Sequence, residues 1–270
     1  MNRSVRTRRR DCPACAHRNG GVPPGPYSRD PWDVVECLKC GFVYLRTVPL
    51  AEELSETLAW EVSAEREAER RRKEQPVLDW IDRKTRWRLR ILPRIEPAGL
   101  LMARVRTGPV LDVGCGSGIR FAELPISLVP YGIEISKALA AGARARFLPR
   151  GGDVIHGAAK DALRTFADGF FAGALLRSYL EHDADAPDVL RILKRKMREG
   201  GIAVVKVPNY GSWNRRLYGR KWCGFRWPDH VNYFTQKSLR EMAESAGFSV
   251  RFPRILSLPT DDNMVAILAA

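Results

Sequence analysis

The segment VLDVGCGSG, from Val110 to Gly118, constrains this chain more than any other. It is a short apolar strand that runs directly into three glycines at alternate positions, Gly114, Gly116 and Gly118, with the acid Asp112 just before them. Glycine lets the chain turn tightly, approach a ligand closely and start a helix whose free amides face that ligand. The pattern therefore predicts a nucleotide-type cofactor site at the end of a buried strand.

A second acid completes the expected nucleoside site. The next apolar segment, residues 129–135, carries Glu134 near its end. An acid at the end of a neighbouring parallel strand is placed to accept hydrogen bonds from both hydroxyls of an adenosine ribose. We therefore expect Asp112 and Glu134 to lie on either side of one bound nucleoside.

The spacing of the glycines argues against a dinucleotide. The dinucleotide pattern G-x-G-x-x-G/A needs its third small residue at the position of Ile119. A pyrophosphate prefers bare amides, whereas Asp112 places an anion beside the loop and favours a ligand with positive charge. S-adenosylmethionine carries both a sulfonium and an amino group. It is therefore the cofactor that the loop predicts.

Six segments in chain order extend the pattern beyond the loop. They are VLDVGCGSG, YGIEIS, DVIHGAAKDAL, FFAGALLRSYLEH, LRILKRKMREGGIAVVKVPN and WCGFRWPDHVNYFTQKSLREMAESAGF. From about Leu89 onward the chain resembles the class I methyltransferases, which use S-adenosylmethionine, and within them a bacterial subgroup that acts on small molecules. The resemblance implies an α/β, Rossmann-like sheet of seven mostly parallel strands, with helices on both faces and the last strand antiparallel.

The chain departs from this family at two positions. Ala158 stands where many relatives have an acid after the third strand, and Ala172 stands where an acid usually begins the fourth. Asp161 is the predicted substitute among the cofactor-binding residues. Because of these departures, a cofactor-binding scaffold without catalysis stays an alternative.

The cysteines near the N-terminus form a second pattern. They lie in two C-x-x-C pairs, namely Cys12 with Cys15 and Cys37 with Cys40. This looks like a zinc ribbon, since four thiolates fit the corners of one tetrahedral metal and leave no open position, which predicts structural Zn²⁺. Gly41 would let the second turn fold back so that amides reach the sulfurs. The alternatives are a redox dithiol, or His17 in place of one ligand.

Methyl transfer to a hydroxyl needs a group that takes its proton. His230, in PDHVNYF, is the first catalytic candidate and His182, in LEH, is the second, because imidazole titrates close to neutral pH. The alternative for each is a structural histidine that ties a loop to the backbone. Residues 210–235 hold many aromatic and basic side chains, which predicts either a wall around an anionic or aromatic acceptor or an apolar lid with cations outside.

The net charge of +14 raises a second functional class. A zinc ribbon on a basic methyltransferase could bind RNA. Against RNA, the segment RSYLEH lacks the Asn/Asp-Pro-Pro-aromatic box that amino-group methylators of bases use. No run of 18 apolar residues occurs, so no membrane partner is expected, and the CxxC pairs suit the cytoplasm.

The chain thus divides into four predicted parts. They are a basic tail (1–10), a zinc ribbon (11–50), a helical linker and cap (51–105) and a methyltransferase core (106–270) with a lid at 210–235. Strands are expected near 109–113, 129–134, 152–156, 171–177, 201–207, 247–256 and 262–269. The predicted function is methyl transfer from S-adenosylmethionine to a small or carrier-linked acceptor, at oxygen. The oligomeric state is not predicted.

Overall fold

The computed structural model of the chain describes residues 6–50, 96–253 and 259–270. The strands in these ranges are β1 (Thr7–Arg9), β2 (Val34–Glu36), β3 (Val43–Leu45), β4 (Thr47–Pro49), β5 (Gly108–Val113), β6 (Leu128–Glu134), β7 (Asp153–His156), β8 (Phe171–Arg177), β9 (Met197–Pro208), β10 (Asn232–Tyr233), β11 (Ser249–Arg251) and β12 (Asn263–Ala269). The α-helices are α1 (Pro97–Met102), α2 (Lys137–Phe147), α3 (Ala159–Ala162), α4 (Ala186–Lys196), α5 (Trp213–Tyr218) and α6 (Gln236–Ser245).

Seven of the strands form one sheet in the order β11-β12-β9-β8-β5-β6-β7. Every pairing from β9 to β7 is parallel, whereas β12 runs antiparallel to both β9 and β11. This confirms the predicted Rossmann-like sheet and its antiparallel last strand. The chain order reverses at β5, which has β8 on one side and β6 on the other. A crevice for a ligand is therefore expected at the carboxyl end of β5.

Alternate side chains of the central strands pack into two apolar clusters. In β8, Ala174 and Leu176 belong to the cluster that includes Leu190 of α4. Leu175 belongs to the cluster that includes Phe147 of α2. Since successive strand residues point to opposite faces, helices cover both faces of the sheet, as predicted.

The cysteine segment, residues 11–50, shares a sheet with the C-terminal half of the chain. β2 and β3 form an antiparallel hairpin, and β10 adds a third strand by pairing Tyr233 with Val43. The ring of Phe42 contacts that of Phe234, with centroids 5.4 Å apart. β1, which lies in the predicted basic tail, pairs with β4. The four-part division of the chain remains a prediction, but this segment and the core are joined by backbone hydrogen bonds.

Most aromatic residues of the lid, residues 210–235, fill an apolar cluster. Trp222, Phe225 and Tyr233 are buried there together with Val34 and Leu45 of the cysteine segment. This packing favours the apolar-lid interpretation over an aromatic wall around the acceptor. Most of the predicted helical linker and cap, residues 51–95, lies outside the described residues. Within the described ranges, no helix combines the length and apolar character that spanning a bilayer requires.

Candidate functional site

The glycine loop, residues 114–118, follows β5. Gly114, Gly116 and Gly118 have positive φ angles of 73°, 55° and 75°, and residues other than glycine rarely adopt such angles. A Cβ at Gly114 would lie 2.9 Å from the ring of Tyr179, and one at Gly118 would lie 3.0 Å from the Cβ of Ala143. A Cβ at Gly116 would meet nothing within 4 Å. The outer glycines thus allow close packing, and the middle one leaves open space in which a ligand could approach the backbone.

Asp112 is a buried carboxylate without a partner. Its side chain lies near the carboxyl end of β5 and is 1% exposed, and neither oxygen has a hydrogen-bond partner among the described residues. Burial raises its pKa to about 7, although the charges of Arg120 and Arg177 oppose the shift and that of Glu134 adds to it. A buried ionised carboxylate is costly unless a cation or hydrogen-bond donor compensates it. This position therefore fits the ammonium group of a ligand.

Glu134 lies at the end of β6, beside the glycine loop. Its Oε2 accepts a hydrogen bond from the Gly116 amide at 2.8 Å, and its Oε1 accepts one from the Ser136 amide at 2.9 Å. These bonds hold the carboxylate in place, and each oxygen keeps a second lone pair for a ligand hydroxyl. As the sequence predicts, the two acids end neighbouring parallel strands.

Asp161 lies in α3, beyond the end of β7. Its carboxylate accepts a hydrogen bond from Arg164 Nη1 at 3.2 Å, and its side chain is 76% exposed. Solvent and the paired cation already compensate the charge of this carboxylate, so its environment does not indicate a bound ligand. Its predicted contact with the adenosine part of the cofactor stays a prediction.

Two segments that are distant in sequence bring three polar side chains together. Glu181 and His182 follow β8, and His230 precedes β10. Their ligand atoms all lie within 4.8 Å of one another, and the two imidazole centroids are 4.6 Å apart with ring planes at 84°. We call these three residues the Glu–His–His cluster. Both predicted catalytic histidines thus share one site, and Glu181, which the sequence reasoning missed, joins them.

Backbone carbonyls orient both rings. Nδ1 of His182 lies 3.0 Å from the Asp229 carbonyl oxygen, and Nδ1 of His230 lies 2.8 Å from that of Gly224. A carbonyl can only accept, so Nδ1 carries the proton, and in the neutral ring Nε2 holds the lone pair. Burial lowers the pKa of His182 to about 4, so this ring is neutral at pH 7.

The carboxylate of the cluster is buried as well. Glu181 is 1% exposed, and its Oε2 has no hydrogen-bond partner among the described residues. Burial raises its pKa to about 8, while the charges of Lys206 and Arg226 oppose the shift. The LEH tripeptide was the available signal for Glu181, because it places an acid directly before a candidate base.

β10 holds the cluster to the sheet. Asn232 Nδ2 donates to the carbonyl oxygens of Leu180 and Asp183, both at 2.7 Å. The amides of Val231 and Asn232 donate to the Glu181 carbonyl at 2.7 and 3.1 Å. These bonds fix the turn that carries Glu181 and His182 against the segment that carries His230.

Arg10 connects the cysteine segment to the same turn. Its guanidinium donates to the carbonyl of Leu45 at 2.9 Å and to that of Ala184 at 3.1 Å. It also donates to the Val231 carbonyl and, at 3.0 Å, to Oδ1 of Asn232. One side chain of the predicted basic tail thus holds both strands of the β3–β10 pair and the loop after the cluster.

The four cysteine sulfurs converge at one point. Sγ of Cys12 lies 3.6 Å from that of Cys40, Sγ of Cys15 lies 3.6 Å from that of Cys37, and all four lie within 4.8 Å of one another. Thiolates at about 2.3 Å from a tetrahedral zinc ion are separated by about 3.8 Å. The four residues therefore fit Zn²⁺.

The two cysteine pairs have the same turn geometry. The amide of Ala16 donates to the Cys12 carbonyl, and that of Gly41 donates to the Cys37 carbonyl, both at 2.8 Å. Both donors have positive φ, 56° at Ala16 and 71° at Gly41. The predicted role of Gly41 thus has a counterpart at Ala16, where the side chain makes this backbone conformation less favourable.

Comparisons with known proteins identify a family for this chain. A family model described as a methyltransferase domain matches residues 72–251, well over half of the chain. No curated protein matches the chain by sequence. One similar solved structure is a SAM-dependent methyltransferase of Thermotoga maritima described as a possible histamine N-methyltransferase, with 19% identity and a TM-score of 0.50 over 70% of this chain and 96% of that one.

A second similar structure is the complex between a methyltransferase activator of Haloferax volcanii and a methyltransferase. Here the identity is 19% and the TM-score 0.51, over 64% of this chain and 88% of that one. At such identities these likenesses show the fold alone. The family model, however, covers the glycine loop, both acids and the Glu–His–His cluster. The chain therefore belongs to the family of methyltransferase domains with a Rossmann-like fold, and S-adenosylmethionine is the cofactor that this family supports.

Proposed function

We propose that this protein transfers a methyl group from S-adenosylmethionine to a hydroxyl group of a small or carrier-linked acceptor, such as a sugar or secondary-metabolite intermediate. The observation that carries the proposal is the Glu–His–His cluster, in which two buried segments bring both candidate bases together. Tyr179 links this cluster to the glycine loop, because its ring contacts Gly114 and it stands two residues before Glu181.

The cofactor would be held by the acids and glycines at the ends of β5 and β6. Asp112 offers its uncompensated carboxylate to the ammonium group, and Glu134 offers its second lone pairs to the ribose hydroxyls. Gly114, Gly116 and Gly118 let the backbone approach the ligand. When bound, S-adenosylmethionine supplies an activated methyl group on a sulfonium, so the protein has chiefly to position the acceptor and remove its proton.

The two histidines are oriented for that removal, and His230 stays the first candidate because burial lowers the pKa of His182 to about 4, which makes it the weaker base. His230 and His182 each hold Nδ1–H against a backbone carbonyl, which directs the lone pair to Nε2. A ring oriented in this way can accept a proton without first reorienting. The same bonds fit the structural alternative, and only kinetics separates the two.

Zinc in the cysteine segment would have a structural role. Cys12, Cys15, Cys37 and Cys40 provide four ligands and leave no position for substrate. Because β3 pairs with β10, the folded segment would stabilise the turn that carries the Glu–His–His cluster. The RNA alternative rests on the zinc ribbon and the basic charge. It has no support from the lid, since most lid aromatics that could stack on a base are buried.

Replacement of His230 by glutamine should lower the rate of methyl transfer by about 10²-fold or more, since general-base catalysis contributes about 10²–10⁴-fold. His182→Gln should act in the same direction. Affinity for S-adenosylmethionine should stay within about threefold, because neither ring belongs to the proposed cofactor site. The measurement is single-turnover transfer to an acceptor found by screening sugars, phenols and RNA.

The matched control is His156→Gln, because His156 is an exposed histidine at the end of β7 whose ring contacts the carbonyl of Ile135. It should leave the transfer rate unchanged. Unaltered rates in both cluster variants would refute the catalytic role and leave the structural one.

A further inference from the structure

The Glu–His–His cluster has the composition of a metal site. It combines two imidazoles with one carboxylate, and the carboxylate is buried without a hydrogen-bond partner on Oε2 among the described residues. A cation would compensate this oxygen. We propose that Glu181, His182 and His230 bind one divalent first-row transition-metal ion, at a site separate from the cysteine cluster.

The relation between the two rings fits this ion. Two imidazoles that bind one metal at about 2.1 Å and at about 90° to each other place their centroids about 4.6 Å apart. The centroids of His182 and His230 are 4.6 Å apart. The ligand atoms lie within 4.8 Å of one another. Adjacent ligand atoms of an octahedral ion at that bond length are about 3 Å apart. Side-chain rotations that move the ligand atoms by less than about 2 Å would therefore close the site around the ion.

The surroundings of the rings agree with this role. Histidines that bind metals through one nitrogen usually donate the other N–H to a carboxylate, a backbone carbonyl or water. Here His182 and His230 both direct Nδ1 at backbone carbonyls, of Asp229 and Gly224. In the proposed site, Nε2 of each ring would therefore be the ligand nitrogen.

The nearby cations do not exclude a metal. Arg226 forms an ion pair with Asp229 at 3.3 Å, which offsets its charge. Two imidazoles and one carboxylate are also the ligands of non-haem Fe(II) sites, where they occupy one face of the ion and leave further positions open. The donor set suits Fe²⁺, Mn²⁺, Co²⁺ or Zn²⁺.

An open position would serve the acceptor. This step rests on the proposed function. With the acceptor oxygen at the metal, its O–H bond weakens and the proton leaves to solvent water. The new O–CH₃ bond then forms as the S–CH₃ bond breaks, and the electron pair of that bond stays on sulfur. In the metal-loaded protein His182 and His230 are ligands, and the metal takes over their part in activating the hydroxyl.

The test is titration with Mn²⁺ of full-length protein that carries one zinc ion per chain, enough to fill the cysteine cluster alone. Binding is followed by the electron paramagnetic resonance signal of free Mn²⁺. Mn²⁺ prefers oxygen and nitrogen ligands and should leave the thiolate site occupied by zinc. We expect one Mn²⁺ per chain in the wild type. Binding should weaken at least about tenfold in E181Q and in H182Q, in line with the loss of one ligand. His156→Gln is the matched control and should bind Mn²⁺ like the wild type.

Three results would overturn the inference. They are no Mn²⁺ or Co²⁺ binding by the wild type up to millimolar concentrations, unchanged binding in E181Q and H182Q, and loss of binding in His156→Gln alone. Retained affinity for S-adenosylmethionine shows that each variant is folded. Methyl transfer that persists without bound Mn²⁺ or Co²⁺ would reject the part of the metal in activating the acceptor, and it would keep the proposed function. Metal binding without any methyl transfer would reject the proposed function and keep the metal site.

Discussion

Replacement of Asp112 by asparagine is expected to weaken the binding of S-adenosylmethionine by about 30-fold to several thousand-fold, and to raise the melting temperature of the ligand-free protein. Removing one partner of a buried charge pair costs about 2–5 kcal/mol of binding free energy, which gives that range. In the ligand-free protein the same carboxylate is buried without a partner among the described residues. Its replacement by a neutral amide therefore removes a destabilising charge.

Calorimetry and thermal unfolding measure the two effects. Asp168→Asn is a control, because Asp168 is an exposed acid that pairs with Arg195 and Lys196. It should leave the affinity unchanged and lower the melting temperature slightly. Unaltered affinity in Asp112→Asn would remove Asp112 from the cofactor site.

The raised pKa of Asp112 gives this prediction a pH dependence. Burial holds the pKa at about 7, against 3.8 for an exposed aspartate, with Arg120, Arg177, Glu134 and Glu96 as the surrounding charges. Below pH 7 the ligand ammonium must displace a proton from Asp112, so affinity should fall by up to about tenfold for each pH unit. In the ligand-free protein, the contribution of Asp112 to the free energy of unfolding is greatest below about pH 4 and falls as the pH rises towards 7. Between these pH values the Asp112 carboxyl loses its proton only in the unfolded state. Asp112→Asn should show neither dependence.

Loss of the zinc ion proposed for the cysteine segment should abolish methyl transfer while affinity for S-adenosylmethionine stays within about threefold. Cys37→Ser removes one of four ligands, and structural zinc sites contribute directly to folding. Without the metal, the β3–β10 pairing and the contacts of Arg10 lose their support. The turn that carries Glu181 would then be disordered, whereas Asp112 and Glu134 depend on the central sheet.

Arg10→Ala distinguishes the effect of the contacts between the cysteine segment and the Glu181 turn from the effect of the metal. The variant should retain zinc, because Arg10 is not a ligand, and should still lose about tenfold or more in transfer rate. Arg9→Ala is the matched control, since Arg9 is exposed and donates only to the Gly20 carbonyl among the bonds described. A lower kcat with unchanged KM for the cofactor in Arg10→Ala would show positioning of the cluster. A zinc-free protein with the full transfer rate would refute the coupling.

The sheet was predictable because each of its strands is determined by a short run of consecutive residues. Each central strand is an apolar run that ends in a glycine, an acid or a turn, and the seven predicted strands match β5 to β9, β11 and β12. β9 begins earlier than expected, at Met197, because Met197 pairs with Phe171 before an irregularity in the β8–β9 ladder, and the regular pairing resumes at Ile202. Asp112 and Glu134 could be placed for the same reason, since parallel strands end at one edge.

The cluster was predictable only in part. His182 and His230 stood out as residue types, but their approach depends on β10, a strand of two residues that has no periodicity to detect. Pairing of β10 with β3 connects residues that are far apart in the chain, and Glu181 has a functional context only once that pairing is known. The lid aromatics were open to two interpretations, because the hydrophobicity of a residue does not show whether it packs against the protein or against a bound acceptor.

Calorimetric titration of zinc-loaded, nucleic-acid-free protein with S-adenosylmethionine, and with its demethylated product, tests the central claim most directly. NADH serves as the control ligand. Micromolar binding of the first two, with no binding of NADH, is the predicted result, because Asp112 and the glycine loop suit a cationic nucleoside rather than a pyrophosphate. Absence of binding to S-adenosylmethionine, or equal binding of NADH, would contradict the account.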